Sequence, residues 1–187
     1  MNKTELRKMI YNSYRDLTPE YKQYADDGIR ANIMSLPEYN DAYTVFCFVG
    51  TKDEIDTSVL IDKMLAEGKR VCVPLCTGKG IMEAKQITDK AQLKAGTFGI
   101  LEPSPEAETV PPEEIDFAIV PCVTCNRIGQ RLGHGGGFYD RFFKDLDTEA
   151  VMICREDTMT AAVPTEPHDI KFRTVVTERH IFRDGKF

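Results

Sequence analysis

No apolar run in this 187-residue chain approaches the roughly 20 positions that a membrane-crossing helix needs. A membrane-spanning protein is therefore excluded as an expectation, and no membrane partner is expected. The opening Met1-Asn2-Lys3-Thr4-Glu5-Leu6-Arg7-Lys8 lacks the apolar core of a secretory signal and carries an acid, so the cytoplasm is the expected compartment. Positive charge is also in short supply. Lysine and arginine total 24 against 30 acidic residues, and a net charge of -6 leaves no basic face for a nucleic-acid backbone. Nucleic acid is not an expected partner. There is no internal repeat and no low-complexity tract. The six cysteines, at 47, 72, 76, 122, 125 and 154, include the spacings Cys122-x-x-Cys125 and Cys72-x3-Cys76, which suit a metal site or a disulfide. No Cys/His pair of zinc-finger spacing completes such a site, however, and Cys47, Cys72 and Cys154 lie in apolar, strand-like runs. A thioredoxin-like motif would need Cys122 to open a helix, whereas a polar loop follows it. Free thiols in a reducing compartment are the expectation.

What is present describes one ordinary globular domain, residues 1–187, with 42% hydrophobic and 29% charged residues and length enough for a substantial core. Leu6, Met9, Ile10, Tyr14 and Leu17 recur at helical spacing. Thr18 and Pro19 then supply the cap and first residue of a second helix, whose face Tyr21, Ala25, Ile29, Ile33 and Leu36 continues until Pro37. Tyr43 to Val49 reads as a strand buried on both faces. Asp56-Thr57 can cap a helix carrying Val59, Leu60, Met64 and Leu65 that Gly68 ends, and Arg70 to Pro74 is the next strand. This strand, helix, strand order is a βαβ unit. The expected fold is accordingly α/β, a helix-covered, largely parallel or mixed sheet in three layers. Ile81 to Gln86 is a weaker strand, and the proline- and glutamate-rich stretch 103–112 a surface loop. Phe117 to Pro121 is a clear buried strand, a helix is expected from Phe138 through Leu146, and Val151–Cys154 and Thr174–Thr177 supply the last strands.

The richest local signal is Arg131-Leu132-Gly133-His134-Gly135-Gly136-Gly137-Phe138-Tyr139-Asp140-Arg141. Four glycines in five positions let successive backbone N–H groups converge on an anion, a following helix start adds unpaired donors, and flanking arginines grip phosphate oxygens. Glycines alone would equally suit a flexible surface turn. Arg127, Arg131, His134 and Arg141 concentrate positive charge around them, and Lys3, Arg7 and Lys8 concentrate it at the start of the chain. An acidic protein that keeps such patches points to a phosphorylated small molecule as partner. The loop is not a Walker A motif, because no Gly-Lys-Ser/Thr follows. It is not a nicotinamide Rossmann turn either, because about ten residues part it from Val120. His-Arg-Asp and Asp-Phe-Gly, the companions of a kinase flap, are missing as well.

Taken with Ile115-Asp116-Phe117-Ala118-Ile119-Val120-Pro121, the segment Gly129 to Phe142 closely resembles the signature of the 5-formyltetrahydrofolate cyclo-ligase family. The resemblance extends along the chain. Lys3-Thr4-Glu5-Leu6-Arg7, Glu54-Ile55-Asp56-Thr57, Gly99-Ile100-Leu101-Glu102-Pro103 and Val163-Pro164-Thr165-Glu166-Pro167-His168-Asp169 resemble further family blocks, in the family's order. It implies an ATP- and Mg2+-dependent closure of 5-formyltetrahydrofolate to 5,10-methenyltetrahydrofolate, with reduced folate and ATP as small-molecule partners; a monomer is the separate expectation for the chain.

Residue by residue, the resemblance implies that Lys3, Thr4, Glu5, Leu6 and Arg7 bind ATP together with Arg131, Leu132, Gly133, His134, Gly135, Gly136, Gly137, Phe138 and Tyr139. It implies catalytic roles for Arg131 and Tyr139, Mg2+ ligation by Asp140 and Asp169, and substrate binding by Val49 and Glu54, the latter accepting from pterin N–H donors. Read without it, Lys3 and Arg7 suit a solvated helix end, Asp140 a helix's first turn, Asp169 a turn and the aromatic pair core packing. Two departures bear on the substrate. Cys125-Asn126 stands where the family usually has Phe-Asp, and Arg155-Glu156-Asp157-Thr158 where Phe-x-x-Gln is frequent. An ATP-dependent enzyme acting on a different pterin or a cofactor-salvage substrate is the alternative they leave open.

Overall fold

Asn2 starts the first helix. Its side chain accepts from the Glu5 N–H at 2.9 Å while the Glu5 carboxylate takes the Asn2 N–H at 2.8 Å, a reciprocal cap. In the computed structural model, which describes residues 1–96 and 99–187, this helix is α1 (Lys3–Asp16), with Leu6 and Ile10 buried. Thr18 caps α2 (Pro19–Ser35), accepting from Tyr21. Pro37 stops that helix, as the sequence suggests, and then opens the one-turn α3 (Pro37–Asp41), whose Tyr39 is buried. Proline is suited to that first position because its φ is already helical and its missing N–H has no helical partner to lose.

The strands are β1 (Thr44–Cys47), β2 (Arg70–Gly78), β3 (Ile81–Ile87), β4 (Lys94–Ala95), β5 (Leu101–Glu102) and β6 (Thr109–Val110). After them come β7 (Phe117–Val120), β8 (Thr124–Cys125), β9 (Arg131–Leu132), β10 (Glu149–Ile153), β11 (Thr174–Val176) and β12 (Ile181–Arg183). Eight of them form the main sheet in the order β12-β11-β10-β7-β1-β2-β3-β6. The five central strands, β11 to β2, are mutually parallel, and β3, β6 and β12 are antiparallel additions at the edges. The expected βαβ unit is β1, α4 (Ser58–Ala66) and β2. The stretch expected as surface loop contributes the edge pair β6, Thr109 facing Lys85 and Val110 facing Ala84.

Alternation along the strands builds two cores. Val45, Cys47, Val71, Val73, Phe117, Ile119, Val151 and Ile153 pack with Ile29 and Ile33 of α2 and Leu60, Ile61 and Met64 of α4. Phe46, Cys72, Ala118, Val120 and Met152 face the other way, onto Phe143, Phe172 and Phe182. The second covering layer is an aromatic one, because the helix expected from Phe138 through Leu146 is only α5 (Phe138–Phe142). Asp145 takes φ +63, outside the right-handed helical region, so the chain turns away after one and a half turns.

From β1 the chain winds outward through β2, β3 and β6, then returns to lay β7 on the other side of β1 and continues through β10 and β11. Strand order therefore reverses between β1 and β7, and a crevice opens beyond their carboxyl ends, the place where open α/β sheets take ligands. The loop on the β1 side is tied down by Thr57. Thr57 is the N-cap residue of α4, but the side chain that accepts at the helix start is Asp56, from Ser58 N–H at 2.8 Å, while the Thr57 hydroxyl donates to the Phe48 carbonyl at 2.8 Å and accepts from Gly50 N–H at 3.1 Å. Replacing Thr57 with valine leaves both backbone groups without their buried partner and is expected to cost about 1–3 kcal/mol in urea unfolding, with the slope unchanged.

Candidate functional site

Beyond β7, the β8–β9 hairpin turns on Asn126, whose carboxamide oxygen accepts from Gln130 N–H at 3.0 Å and whose nitrogen donates to Gln130 at 2.6 Å. That hairpin carries Arg131, a cation with only 4% of its side chain exposed. Arg131 Nε donates to the Pro121 carbonyl at 2.7 Å, and the guanidinium lies 5.0 Å from the centre of the Tyr139 ring. Its nearest carboxylate contact is Asp140, at 3.7 Å from Nη1. Among the described residues no hydrogen bond engages its Nη atoms, which lie against Gly133 so closely that a Cβ there would sit 2.7 Å from Nη1. From Gly133 the glycine run bends, and Gly137 at φ +65 feeds it into α5. Arg7 of α1 braces the loop by donating from Nε to the Gly133 carbonyl at 2.7 Å.

A cavity of about 200 Å3 results, walled by Lys3, Arg7, the whole of Arg131–Asp140, Glu166, His168 and Asp169. With α5 only five residues long, the anion attraction of this cavity rests on the loop N–H groups and two guanidinium groups more than on a helix dipole. Lys3 Nζ bridges the Asp169 carboxylate, at 2.6 and 2.8 Å, and Glu166 at 2.6 Å. Burial disfavours the Lys3 ammonium, but these bonds outweigh it and raise its pKa. Burial likewise opposes the Asp169 charge, and Lys3 with the Glu166 N–H reverses the effect, so its pKa is lowered. Asp140 accepts from Ile170 N–H at 3.1 Å. Carboxylates of Asp140, Asp169 and Glu166 on one polar cavity are a hard-oxygen set that fits Mg2+, and the Lys3 ammonium already marks a spot where positive charge is held.

Next to this cavity, the crevice at the strand ends is a slot of about 10 Å3 lined by Tyr14, Phe48, Glu54, Cys122, Arg155 and Thr158 among others. Glu54 Oε2 accepts from Thr51 N–H at 2.9 Å, and Oε1 lies 3.1 Å from His134 Nε2, whose Nδ1 meets the Tyr11 hydroxyl at 2.8 Å. Burial pushes the Glu54 carboxyl up, yet the bond and charge of His134 and the Thr51 bonds more than offset it, leaving the pKa lowered. Arg155, 5% exposed, fixes this rim. It pairs with Asp26 of α2 through Nε at 2.8 Å and Nη2 at 2.9 Å, and the same Nη2 donates to the Glu54 carbonyl at 2.9 Å.

Of the residues singled out in the sequence, Lys3, Arg7, Arg131 to Tyr139, Asp140 and Asp169 share one cavity, and Glu54 adjoins it through His134. Thr4 and Glu5 are exposed and Leu6 is buried with Ile10, Val123 and Leu132, so these three do not line it. Val49 packs against the helix-side core and lines neither opening. Burial drives the Tyr139 phenol far above its ordinary pKa, which makes it a neutral hydrogen-bond donor. Of the departures, Asn126 serves the hairpin turn, Thr158 lines the slot and Arg155 positions Glu54. Sequence reasoning missed Tyr11, Glu166 and the Arg155–Asp26 pair, whose partners lie too far apart in the chain to leave a local pattern. Cys122, Cys125 and Cys154 also converge, their ligand atoms within 4.8 Å of one another.

A mainly parallel sheet whose switch-point crevice adjoins a cavity walled by a glycine loop, a buried arginine and facing carboxylates is the architecture of an α/β enzyme for a small molecule. The model of the 5-formyltetrahydrofolate cyclo-ligase family matches residues 1–178, and the chain belongs to that family of ligases. It is 31% identical to the 5-formyltetrahydrofolate cyclo-ligase of Escherichia coli K12, over 93% of this chain and 99% of that one. It is 28% identical to a probable 5-formyltetrahydrofolate cyclo-ligase of Schizosaccharomyces pombe, over 98% of both. Among solved structures, 5,10-methenyltetrahydrofolate synthetase of Aquifex aeolicus superposes with a TM-score of 0.87 at 31% identity, covering 100% of this chain and 95% of that one. Among the described residues no helix is long and apolar enough to cross a membrane.

Two outcomes follow from the rim. Arg155→Ala strands the Asp26 carboxylate in a buried site and is expected to cost about 3–5 kcal/mol by chemical denaturation. His134→Ala removes one of the bonds that hold Glu54 ionised, so the Glu54 carboxyl should titrate at higher pH in carbon-detected NMR; an unchanged or lower value would contradict the bridge.

Proposed function

We propose that the enzyme closes 5-formyltetrahydrofolate to 5,10-methenyltetrahydrofolate, with ATP converted to ADP and phosphate. The carrying observation is Arg131, a buried cation anchored through one nitrogen, with its Nη atoms against the glycine loop and its nearest carboxylate, Asp140, at 3.7 Å, beyond hydrogen-bonding distance. Such a group is matched by phosphate oxygens. Glu54, ionised and one histidine away, suits the N–H donors of a pterin. The family membership and the names of the relatives supply the reaction that unites these two halves.

The chemistry explains the need for ATP. A formyl oxygen cannot leave an amide carbon as oxide, so the oxygen first attacks the terminal phosphorus and ADP departs. The anilino nitrogen then adds its lone pair to the activated formyl carbon and gives up its proton. The C–O bond breaks, phosphate leaves, and the amidinium ring remains. In this chain Lys3, Arg7, Arg131 and the N–H groups of Gly133–Gly137 would hold the phosphate chain and neutralise charge on the transferred group. Tyr139, neutral and beside Arg131, would wall the reacting centre as a donor. Asp140 and Asp169 would hold Mg2+, which supplies charge neutralisation across phosphate oxygens. With magnesium at Asp169, Lys3 would be freed to turn toward phosphate.

The test is conversion of 5-formyltetrahydrofolate with ATP and Mg2+, followed by the near-ultraviolet absorbance of methenyltetrahydrofolate. Wild type should form product, Asp140→Ala should lose it, and Arg131→Lys should fall by roughly 100-fold or more because the planar fork is lost. Tight ATP binding with no product would overturn the substrate and leave another pterin, for which Thr158 in the slot would be the reason.

A further inference from the structure

Three of the six cysteines meet at the carboxyl end of the sheet from separate segments. Cys122 follows β7, Cys125 closes β8 and Cys154 follows β10. Cys125 and Cys154 are buried, and Cys122 is partly buried and lines the narrow slot, which gives the cluster a route to solvent. The three sulfur atoms lie within 4.8 Å of one another. Tetrahedral zinc at about 2.3 Å from each of three sulfurs sets them about 3.8 Å apart, so binding needs only small rotations about Cα–Cβ. The ordinary use of buried cysteine in this protein is seen at Cys47 and Cys72, which sit within strands and act as small hydrophobes. The triad differs in that its thiols face each other. Their other contacts are weak: Cys122 Sγ to the Ile153 carbonyl at 3.4 Å, and Cys154 Sγ to the Arg155 carbonyl and Thr158 hydroxyl at 3.5 Å.

We propose that Cys122, Cys125 and Cys154 form a three-thiolate site for a thiophilic metal ion, Zn2+ in the first instance, separate from the carboxylate site for Mg2+. Binding releases three thiol protons and leaves a complex with one net negative charge. One guanidinium stands close enough to offset it, Arg131, which is bonded to the carbonyl of Pro121, the neighbour of Cys122. All-sulfur donors select a soft or borderline ion over magnesium, so the two sites would not compete. The fourth coordination position would open toward the slot, whose lining brings oxygens of Tyr14, Asp53, Glu54 and Thr158.

Fresh, reduced, metal-free protein titrated anaerobically with CoCl2 should develop a thiolate-to-cobalt charge-transfer band that saturates at one equivalent and is abolished by ZnCl2. Loss of an outer-shell partner already costs roughly 10–100-fold in metal affinity, so Cys122→Ser, Cys125→Ser and Cys154→Ser should each cost at least as much. Cys76→Ser, at an exposed position, should bind as wild type does. A readout that needs no variant is alkylation of the native wild-type protein, in which zinc should shield the partly buried Cys122 and not the exposed Cys76. No cobalt band at one equivalent, a band that persists in Cys154→Ser, or a disulfide within the triad in place of protection would overturn the site.

Discussion

The end of the molecule that carries the site is organised around one buried ion pair, Arg155 with Asp26. Taking a guanidinium and a carboxylate out of water is expensive, and only complete pairing makes the arrangement tolerable. Here both carboxylate oxygens are met by the guanidinium, Asp56 N–H adds a further bond to Asp26 at 3.0 Å, and the spare guanidinium capacity goes to the Glu54 carbonyl. One interaction therefore sets the spacing of α2, the loop after β1 and the end of β10. Such a pair contributes more to a unique arrangement than to net stability, because a slipped register would strand a charge in an apolar site.

Charge in the larger cavity obeys the same rule of local pairing under a different solvent regime. The chain is acidic overall, yet Lys3, Arg7 and Arg131 converge, and Asp140, Glu166 and Asp169 face them. Neither set is fully matched, since Arg131 meets Asp140 only at 3.7 Å while Lys3 carries two carboxylates. A cavity whose cations and carboxylates are only partly matched to one another suits a ligand that brings charge of its own. Across its mouth, His134 joins the glycine loop to Glu54 and Tyr11, which places the two rims in one hydrogen-bonded chain.

Much of this architecture was legible where the sequence repeats a pattern over several turns or a whole strand. α1, α2, α4 and the strands β1, β2 and β7 announce themselves through apolar periodicity and capping residues. α5 was overread, because Phe142, Phe143 and Leu146 continue a plausible helical face and only the left-handed Asp145 stops it. The two-residue strands β4, β5, β6, β8 and β9 carry too few positions for any period to show. At the site the glycine loop was readable because its parts are contiguous. Asp140, Asp169 and Glu54 drew attention only through family resemblance, and Arg155 was noticed as a departure but not as a tie to residue 26. Cys154 looked like strand filling because its neighbours in sequence are apolar, while its neighbours in space are Cys122 and Cys125.

The winding of the sheet also bears on how the chain is made. β1 pairs with β2 soon after both leave the ribosome, but its other edge waits for β7, which lies about seventy positions further on. Through that interval a strand buried on both faces in the finished protein has an open, apolar edge, while the acidic loop before β7 is still being synthesised. Lys3 reaches Asp169 only after 166 further residues have been added. A nascent chain can thus own a folded helical layer and half a sheet long before it owns the glycine-loop cavity, which makes the late segments, and not the early ones, the point at which translation yields a working enzyme.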